Sequence, residues 1–125
     1  FQNKMAFAIS QTSTSTFNKD QIDSDGVPVC TPTLTFEFPK NFSCYIKFKK
    51  VKGKIGFYCY VNSDKPINVG FICKINGKVY YNKNNLYEAG EDNWGKREAG
   101  TVDDLFLNDV MNVEWTVTLK SESNP

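Results

Sequence analysis

The side chains that most often perform catalysis are scarce in this sequence. It contains no histidine, so the commonest general base is missing and a serine or cysteine nucleophile would lack its usual partner. Two pairs of adjacent carboxylates are present, Glu91-Asp92 and Asp103-Asp104. Neighbouring acids in a turn usually form a solvated, capping patch, and we favour this interpretation over a catalytic or metal-binding role. We therefore predict that the protein is not an enzyme and that it needs no cofactor and no metal ion.

A second group of side chains is suited to non-covalent recognition of another protein. Tyr58 and Tyr60 have the opposite parity to the apolar residues of their segment, so both rings are expected to face outward. With Ile72 and the ring of Trp94 they would form a shallow, partly apolar groove across one sheet, walled by Tyr87. Such a groove suits an extended peptide, because ring faces hold apolar side chains while hydroxyls and amides fix the backbone. The alternative is that the outward tyrosines are present only because tyrosine favours β-strands.

The elements that must hold these residues are β-strands, because period-two alternation dominates the sequence and helical periodicity is nearly absent. The apolar face of the last strand carries Met111, Val113, Trp115, Val117 and Leu119. Asn76-Gly77 predicts a hairpin, since both residues tolerate the positive φ of a type I′ turn, and Lys52-Gly53 predicts another. Seven or eight short antiparallel strands must pair their apolar faces. Residues 1–125 are therefore predicted to form a single all-β domain, an antiparallel β-sandwich.

Other local predictions depend on turn and capping signals. Phe7 and Ile9 indicate a first short strand, and the Ser-, Thr- and Asn-rich residues 10–26 are expected to form a long polar loop. Asn93-Trp94-Gly95-Lys96 is also expected to lie in a loop. A short helical turn is predicted from Thr101 to Leu107, where Thr101 would cap the positive helix end.

The hairpin predicted at Lys52-Gly53 is basic, because Lys47, Lys49, Lys50, Lys52 and Lys54 fall within eight residues. Lysine-rich strands resist edge-to-edge pairing of sheets, and we favour this explanation of the cluster. The alternative is a docking face for an acidic partner.

The cysteines at positions 30, 44, 59 and 73 contain no C-x-x-C spacing. Cys44, Cys59 and Cys73 have the apolar parity of their strands, so we expect reduced, buried thiols and a cytoplasmic or nuclear protein. The sequon Asn41-Phe42-Ser43 would fit a secreted protein instead. We expect no signal peptide, since these residues show no such pattern, and no apolar run has the length of a membrane span; a net charge of +1 with a single arginine does not indicate nucleic-acid binding.

The order of motifs in the C-terminal half resembles the MATH domain, the meprin and TRAF homology or TRAF-like domain. The resemblance includes the Trp-Gly pair at Trp94-Gly95, the acidic turn at Asp103-Asp104 and the long alternating last strand. Upstream, the segments at 54–59 and 75–78 look like the two middle strands of that family. The resemblance covers roughly Leu34 to Leu119 and is strongest to the MATH domains of MATH–BTB ubiquitin-ligase adaptors.

This resemblance implies a groove across one sheet that binds short linear peptide motifs. Tyr58 matches a tyrosine of the family's adaptor branch, and Leu86 or Tyr87 stands where the family carries an aromatic residue. Lys96 replaces a common aromatic and Asn93 a common acidic residue, so the ligand preference should differ, with Lys96 tolerating an acidic or phosphorylated residue. The predicted peptide-binding residues are Tyr58, Tyr60, Ile72, Tyr87, Asn93, Trp94, Gly95 and Lys96.

The resemblance also implies a wider role as substrate receptor in a cullin-type ubiquitin ligase, joined to a BTB domain. The alternatives are a structural sandwich with a broad protein–protein surface, a TRAF-like signalling adaptor, and a secreted adhesion or sugar-binding sandwich. We expect no membrane partner, and oligomers remain open. Two interpretations of the N-terminus are open, a native start at Met5 behind vector-derived residues 1–4 or an excised domain, and residues 121–125 are interpreted as a tail or the start of a linker.

Overall fold

The computed structural model describes residues 8–120. In chain order this part contains β1 (Ala8–Asn18), β2 (Val29–Cys30), β3 (Leu34–Thr35), β4 (Ser43–Val51), β5 (Lys54–Ser63), β6 (Ile67–Ile75), β7 (Lys78–Tyr87), β8 (Gly90–Thr101), α1 (Val102–Leu105) and β9 (Val110–Lys120). A single 3₁₀ turn at Lys19–Ile22 follows β1. The all-β prediction is confirmed, with nine strands in the described part instead of seven or eight.

The strands form two antiparallel sheets whose apolar faces pack together as a sandwich. The four-stranded sheet has the order β1-β9-β6-β7, and the five-stranded sheet has the order β2-β4-β5-β8, with β3 also paired to β4. The chain passes from the second sheet to the first through residues 64–66, between β5 and β6. The predicted antiparallel β-sandwich is therefore confirmed.

The core between the sheets is rich in aromatic rings. Trp115 is 1% exposed and Phe57 is fully buried, as their strand parity predicts. The Phe57 ring lies 5.7 Å from that of Phe48 in its own sheet, and 6.3 and 6.2 Å from Phe71 and Tyr81 in the opposite sheet. Phe57 thus joins the two sheets at the centre of an aromatic cluster.

The Asn76-Gly77 hairpin does more than reverse the chain between β6 and β7. Both residues have positive φ, 50° and 83°, as the type I′ prediction requires. The Asn76 side chain also donates a hydrogen bond to the Leu105 carbonyl (2.9 Å) and accepts one from the Asn112 amide (3.0 Å). This one residue therefore ties the hairpin to α1 and to the start of β9.

The predicted helical turn is present as α1. The Asp104 amide donates to the Thr101 hydroxyl (3.2 Å), and the Thr101 amide donates to the Asp104 carboxylate (2.9 Å). This reciprocal pair is a capping box, and it lowers the pKa of the Asp104 carboxyl because the Thr101 amide and hydroxyl stabilise the charged form.

The prediction of a polar loop at residues 10–26 is wrong over its first half, because β1 continues to Asn18. This strand pairs with β9 along its whole length, from Ala8 opposite Lys120 to Asn18 opposite Val110. It lies at the edge of its sheet, so most of its side chains are at least partly exposed to solvent on both faces. Serine and threonine therefore replace apolar residues, and the alternation used to recognise strands disappears. Ile9 lies in β1 as expected, while Phe7 is outside the described residues.

Candidate functional site

Tyr58 and Tyr60 face outward from the five-stranded sheet, as predicted. Both are half-buried on β5 and alternate with buried residues of the core. Their neighbours on β8 are Gly95, opposite Tyr58, and Asn93, opposite Tyr60. Because directly opposed residues share a face of an antiparallel sheet, four of the eight predicted residues lie together on this outer face.

Trp94 and Lys96 do not lie in a loop, since the Trp-Gly segment is part of β8. They alternate with Asn93 and Gly95, so their side chains leave the strand on the opposite face from Tyr58. The Trp94 ring is 44% exposed at the rim, and its indole N–H donates to the Leu86 carbonyl (3.3 Å). The Lys96 ammonium donates to the Tyr80 carbonyl (3.5 Å). Both side chains therefore bridge β8 to β7 across the open side of the sandwich.

Ile72 and Tyr87 are not brought to the predicted groove either. Ile72 lies on β6 in the other sheet, opposite Thr116 of β9. Tyr87 is fully buried, and its hydroxyl donates to the Cys59 carbonyl (3.4 Å). Parity shows which side of its own sheet a residue occupies, but it does not show which of the two sheets that is. The single groove of eight residues is therefore not formed.

The neighbours that the structure does place beside the two tyrosines come from β4. Lys47 lies opposite Tyr58, and Tyr45 lies opposite Tyr60. The rings of Tyr45 and Tyr60 are stacked, with centroids 5.3 Å apart and planes at 6°. The Lys47 ammonium lies 4.5 Å from the centre of the Tyr60 ring, a cation–π contact. These contacts hold the Tyr45 and Tyr60 rings in place.

A groove of about 590 Å³ runs from these tyrosines to the β4–β5 hairpin, and we call it the basic groove. It is lined by Lys47, Lys49, Val51, Lys52, Lys54, Gly56, Tyr58, Tyr60, Arg97 and Glu98. Five of its lining residues are cationic and one is acidic. The lysine cluster and the outward tyrosines, which the sequence presents as separate features, therefore form one surface. Lys50 is not part of it, because its ammonium donates to the Asp23 carbonyl (2.7 Å) and lies 3.8 Å from the Asp25 carboxylate.

The floor of the basic groove is bare backbone at Gly56. A Cβ atom at this position would lie 2.1 Å from the Arg97 carbonyl oxygen, so no other residue fits without moving β8. The pairing of β5 with β8 is irregular here, stepping from Ile55 opposite Gly100 to Phe57 opposite Lys96. This bulge brings Arg97 and Glu98 to the groove. No hydrophobic pattern marks a bulge, so the sequence did not reveal these two residues.

The charge of this face changes along the strands. The basic groove forms one end, whereas Glu91 of β8 lies opposite Asn62 at the other. Burial raises the pKa of the Tyr45 hydroxyl, and the nearby Glu91 carboxylate raises it further. An extended ligand along β5 would therefore meet cations at one end, tyrosines in the middle and an acidic group at the far end.

Three of the four cysteines, those on β4, β5 and β6, have the burial expected from their parity. Cys44, Cys59 and Cys73 are buried, Cys30 is exposed, and all four are free thiols. Burial raises the pKa of the Cys73 thiol to about 12, and the pKa of Cys44 is raised by its contact with Cys59 and by burial. Within residues 8–120, no cluster of His, Cys, Asp or Glu is arranged to hold a metal ion. No helix in that range is long and apolar enough to cross a membrane.

Comparison with known proteins leaves the chain's own geometry as the basis for a functional assignment. No family model matches the sequence, and no curated protein is significantly similar to it.

Proposed function

We propose that this protein is a protein-interaction module that binds an extended, acidic peptide in the basic groove. The observation that carries the proposal is the position of two outward tyrosines among five cationic side chains on one outer face of the sandwich. Cationic side chains that point into a concave surface attract anionic ligands and accelerate their encounter. Tyrosine rings supply apolar contact area with little loss of side-chain freedom, so they are frequent centres of binding energy.

Each part of the groove has a distinct task in this proposal. Lys49 and Arg97 bind a carboxylate or phosphate of the peptide, and the guanidinium of Arg97 is suited to a two-pronged contact. The ring of Tyr58 packs against an apolar side chain of the peptide. Gly56 has a supporting task, because only a residue without a side chain lets the Arg97 segment of β8 pack against β5 and so places Arg97 at the groove. The ligand preference is therefore an acidic or phosphorylated residue close in sequence to an apolar one.

The wider proposal is that the module is MATH-like and acts as a substrate receptor of a cullin-type ubiquitin ligase. Three features support it: the two-sheet antiparallel sandwich, the Trp-Gly pair on β8, and the outward Tyr58 on β5. The four free thiols support a cytoplasmic or nuclear location. Co-purification of the full-length protein with a BTB partner and a cullin would test this role, and its absence from such complexes would contradict it.

A binding titration tests the groove itself. The probes are fluorescent peptides that carry an acidic run beside a leucine, the same peptides with glutamine in place of the acids, and a phosphoserine version. We expect Tyr58→Ala and Lys49→Glu each to weaken the acidic peptide about 5- to 150-fold, equivalent to about 1–3 kcal/mol. The glutamine peptide should bind weakly to every variant.

Lys96→Glu is the matched control for Lys49→Glu, because both introduce the same charge change into a strand of the same sheet. The Lys96 ammonium contacts the Tyr80 carbonyl and lies away from the basic groove, so its replacement should leave peptide affinity nearly unchanged. Loss of binding in Lys96→Glu but not in Lys49→Glu would show that the peptide follows the rim of β8. Tighter binding of a single-stranded oligonucleotide than of any acidic peptide would overturn the peptide proposal.

A further inference from the structure

We infer that β1 is a pairing edge through which two copies of this chain join, antiparallel, into one continuous eight-stranded sheet. Within residues 8–120 the strand is the outermost one of the four-stranded sheet, and it pairs there with β9 on one side only. Alternate backbone amides and carbonyls of an edge strand point away from the sheet and can accept another strand. This inference is independent of the basic groove, which lies on the other sheet.

The other edges of the sandwich carry protection that β1 lacks. β2 and β3 are two residues long each. β8 contains a bulge and the charged residues Glu91, Asp92, Lys96, Arg97 and Glu98. The edge strand β7 contains Lys78 and Lys83 and faces an irregularity in its pairing with β6. β1, by contrast, spans eleven residues with no charge, proline or glycine, and its register to β9 is unbroken.

Hydrogen bonds between side chains also tie β1 to its neighbour β9. The hydroxyls of Thr12 and Thr116 are 2.8 Å apart, and those of Ser10 and Thr118 are 2.7 Å apart. These cross-strand hydrogen bonds fix the outer face of β1 against β9. Less ordering entropy is then lost when a second strand docks than would be lost with a mobile edge.

A second copy of β1 is the occupant that this edge fits best, because its sequence is self-complementary. Ser13 is the central residue of Ala8–Asn18, and an antiparallel pair centred there places Ser13 opposite the Ser13 of the other copy. Ile9 then meets Phe17, and the remaining polar positions meet hydroxyl or amide side chains with no like charges opposed. Core-facing residues meet core-facing residues in this register, so the two sandwiches lie on the same side of the joined sheet.

The assembly closes at two copies, because residues 8–120 of each chain provide one such edge and the two-fold axis pairs the two edges with each other. Strand pairing adds main-chain hydrogen bonds but little apolar area. The dimer should therefore be weak and concentration-dependent, with dissociation in the range of about 1 µM to 1 mM.

Disulfide trapping of the full chain tests the register. In a Cys30→Ser background, which removes the exposed native thiol, Ser13→Cys should form a covalent dimer under mild oxidation. Directly opposed Cα atoms in an antiparallel pair are about 4.5–5.5 Å apart, within the span of a disulfide. Ser15→Cys is the matched control, because in this register its two copies are offset by about 14 Å along the strands. Equal cross-linking of the two variants would overturn the register.

Analytical ultracentrifugation from about 1 µM to 1 mM tests pairing at β1 without cross-linking. The wild type should shift toward a dimer as its concentration rises, whereas Ser13→Lys, which opposes two cations at the axis, should stay monomeric. Asn82→Lys adds the same charge to β7 at the other edge of the sheet and should behave like the wild type. A wild type that remains monomeric throughout, or a Ser13→Lys variant that dimerises like the wild type, would overturn the inference.

Discussion

Replacing Phe57 by alanine should remove much of the stability of this domain. The side chain is fully buried, and truncation of a buried phenylalanine costs about 3–5 kcal/mol. Its ring also contacts three other aromatic rings, one in its own sheet and two in the opposite sheet. Each such contact contributes about 0.5–1.5 kcal/mol beyond area burial, so we expect a loss of about 4–5 kcal/mol. This is a large part of the roughly 5–15 kcal/mol by which small domains are stable.

Urea unfolding, followed by tryptophan fluorescence and circular dichroism, measures this loss. With a slope of about 2 kcal/mol per M, the midpoint of Phe57→Ala should fall by about 2 M. Tyr58→Ala is the matched control, since the adjacent residue points out of the same strand and its truncation should cost about 1 kcal/mol or less. Equal midpoints for the two variants would refute the assignment of Phe57 to the core and of Tyr58 to the outer face.

Three further predictions follow from local contacts. Cys30 should react with a bulky thiol reagent in the folded protein, whereas Cys73, whose raised pKa suppresses the thiolate, should react only after unfolding; fast modification of Cys73 at neutral pH would contradict its burial. Asn76→Ala should lower the free energy of unfolding in urea by about 2–3 kcal/mol, because two hydrogen bonds and a residue that tolerates positive φ are lost. Asn76→Gly should lower it less, because glycine tolerates the positive φ and only the hydrogen bonds are lost. Equal costs would mean that backbone strain contributes nothing there. The lowered pKa of Asp104 means that its charge stabilises the fold above the ordinary carboxyl pKa and that this contribution disappears as the pH falls through the folded value. The stability difference between the wild type and Asp104→Ala should therefore shrink from neutral to acidic pH. A difference that grew on acidification would contradict the lowered pKa of Asp104.

The local features of the fold could be predicted from the sequence because single residues carry them. The inward position of Phe57 and Trp115 follows from alternation along their strands, and the Asn76-Gly77 turn follows from the backbone angles that these residues tolerate. The cap at Thr101 follows in the same way from a hydroxyl placed before a helical turn. In each case the deciding interaction spans a few residues.

The composition of the candidate site could not be predicted, because it depends on which strands become neighbours. Lys49 and Tyr58 meet because β4 and β5 pair in one register, and Arg97 joins them only through the bulge in β8. Trp94 lies outside the basic groove for a related reason, since it alternates with Asn93 and Gly95 on a strand that was expected to be a loop.

The sequence by itself determined that this protein is built of half-apolar strands, which of their residues face a core, and where several of the turns fall. Only the tertiary structure decided which sheet receives each strand, that Ile72 and Tyr58 face opposite ways, and that β1 is the outermost strand of its sheet in the part of the chain that the structure describes. The physical reason is the separation along the chain over which each interaction acts. Alternation and turn preference act between neighbouring residues, whereas sheet membership and register depend on the burial of both apolar faces at once, to which every strand contributes.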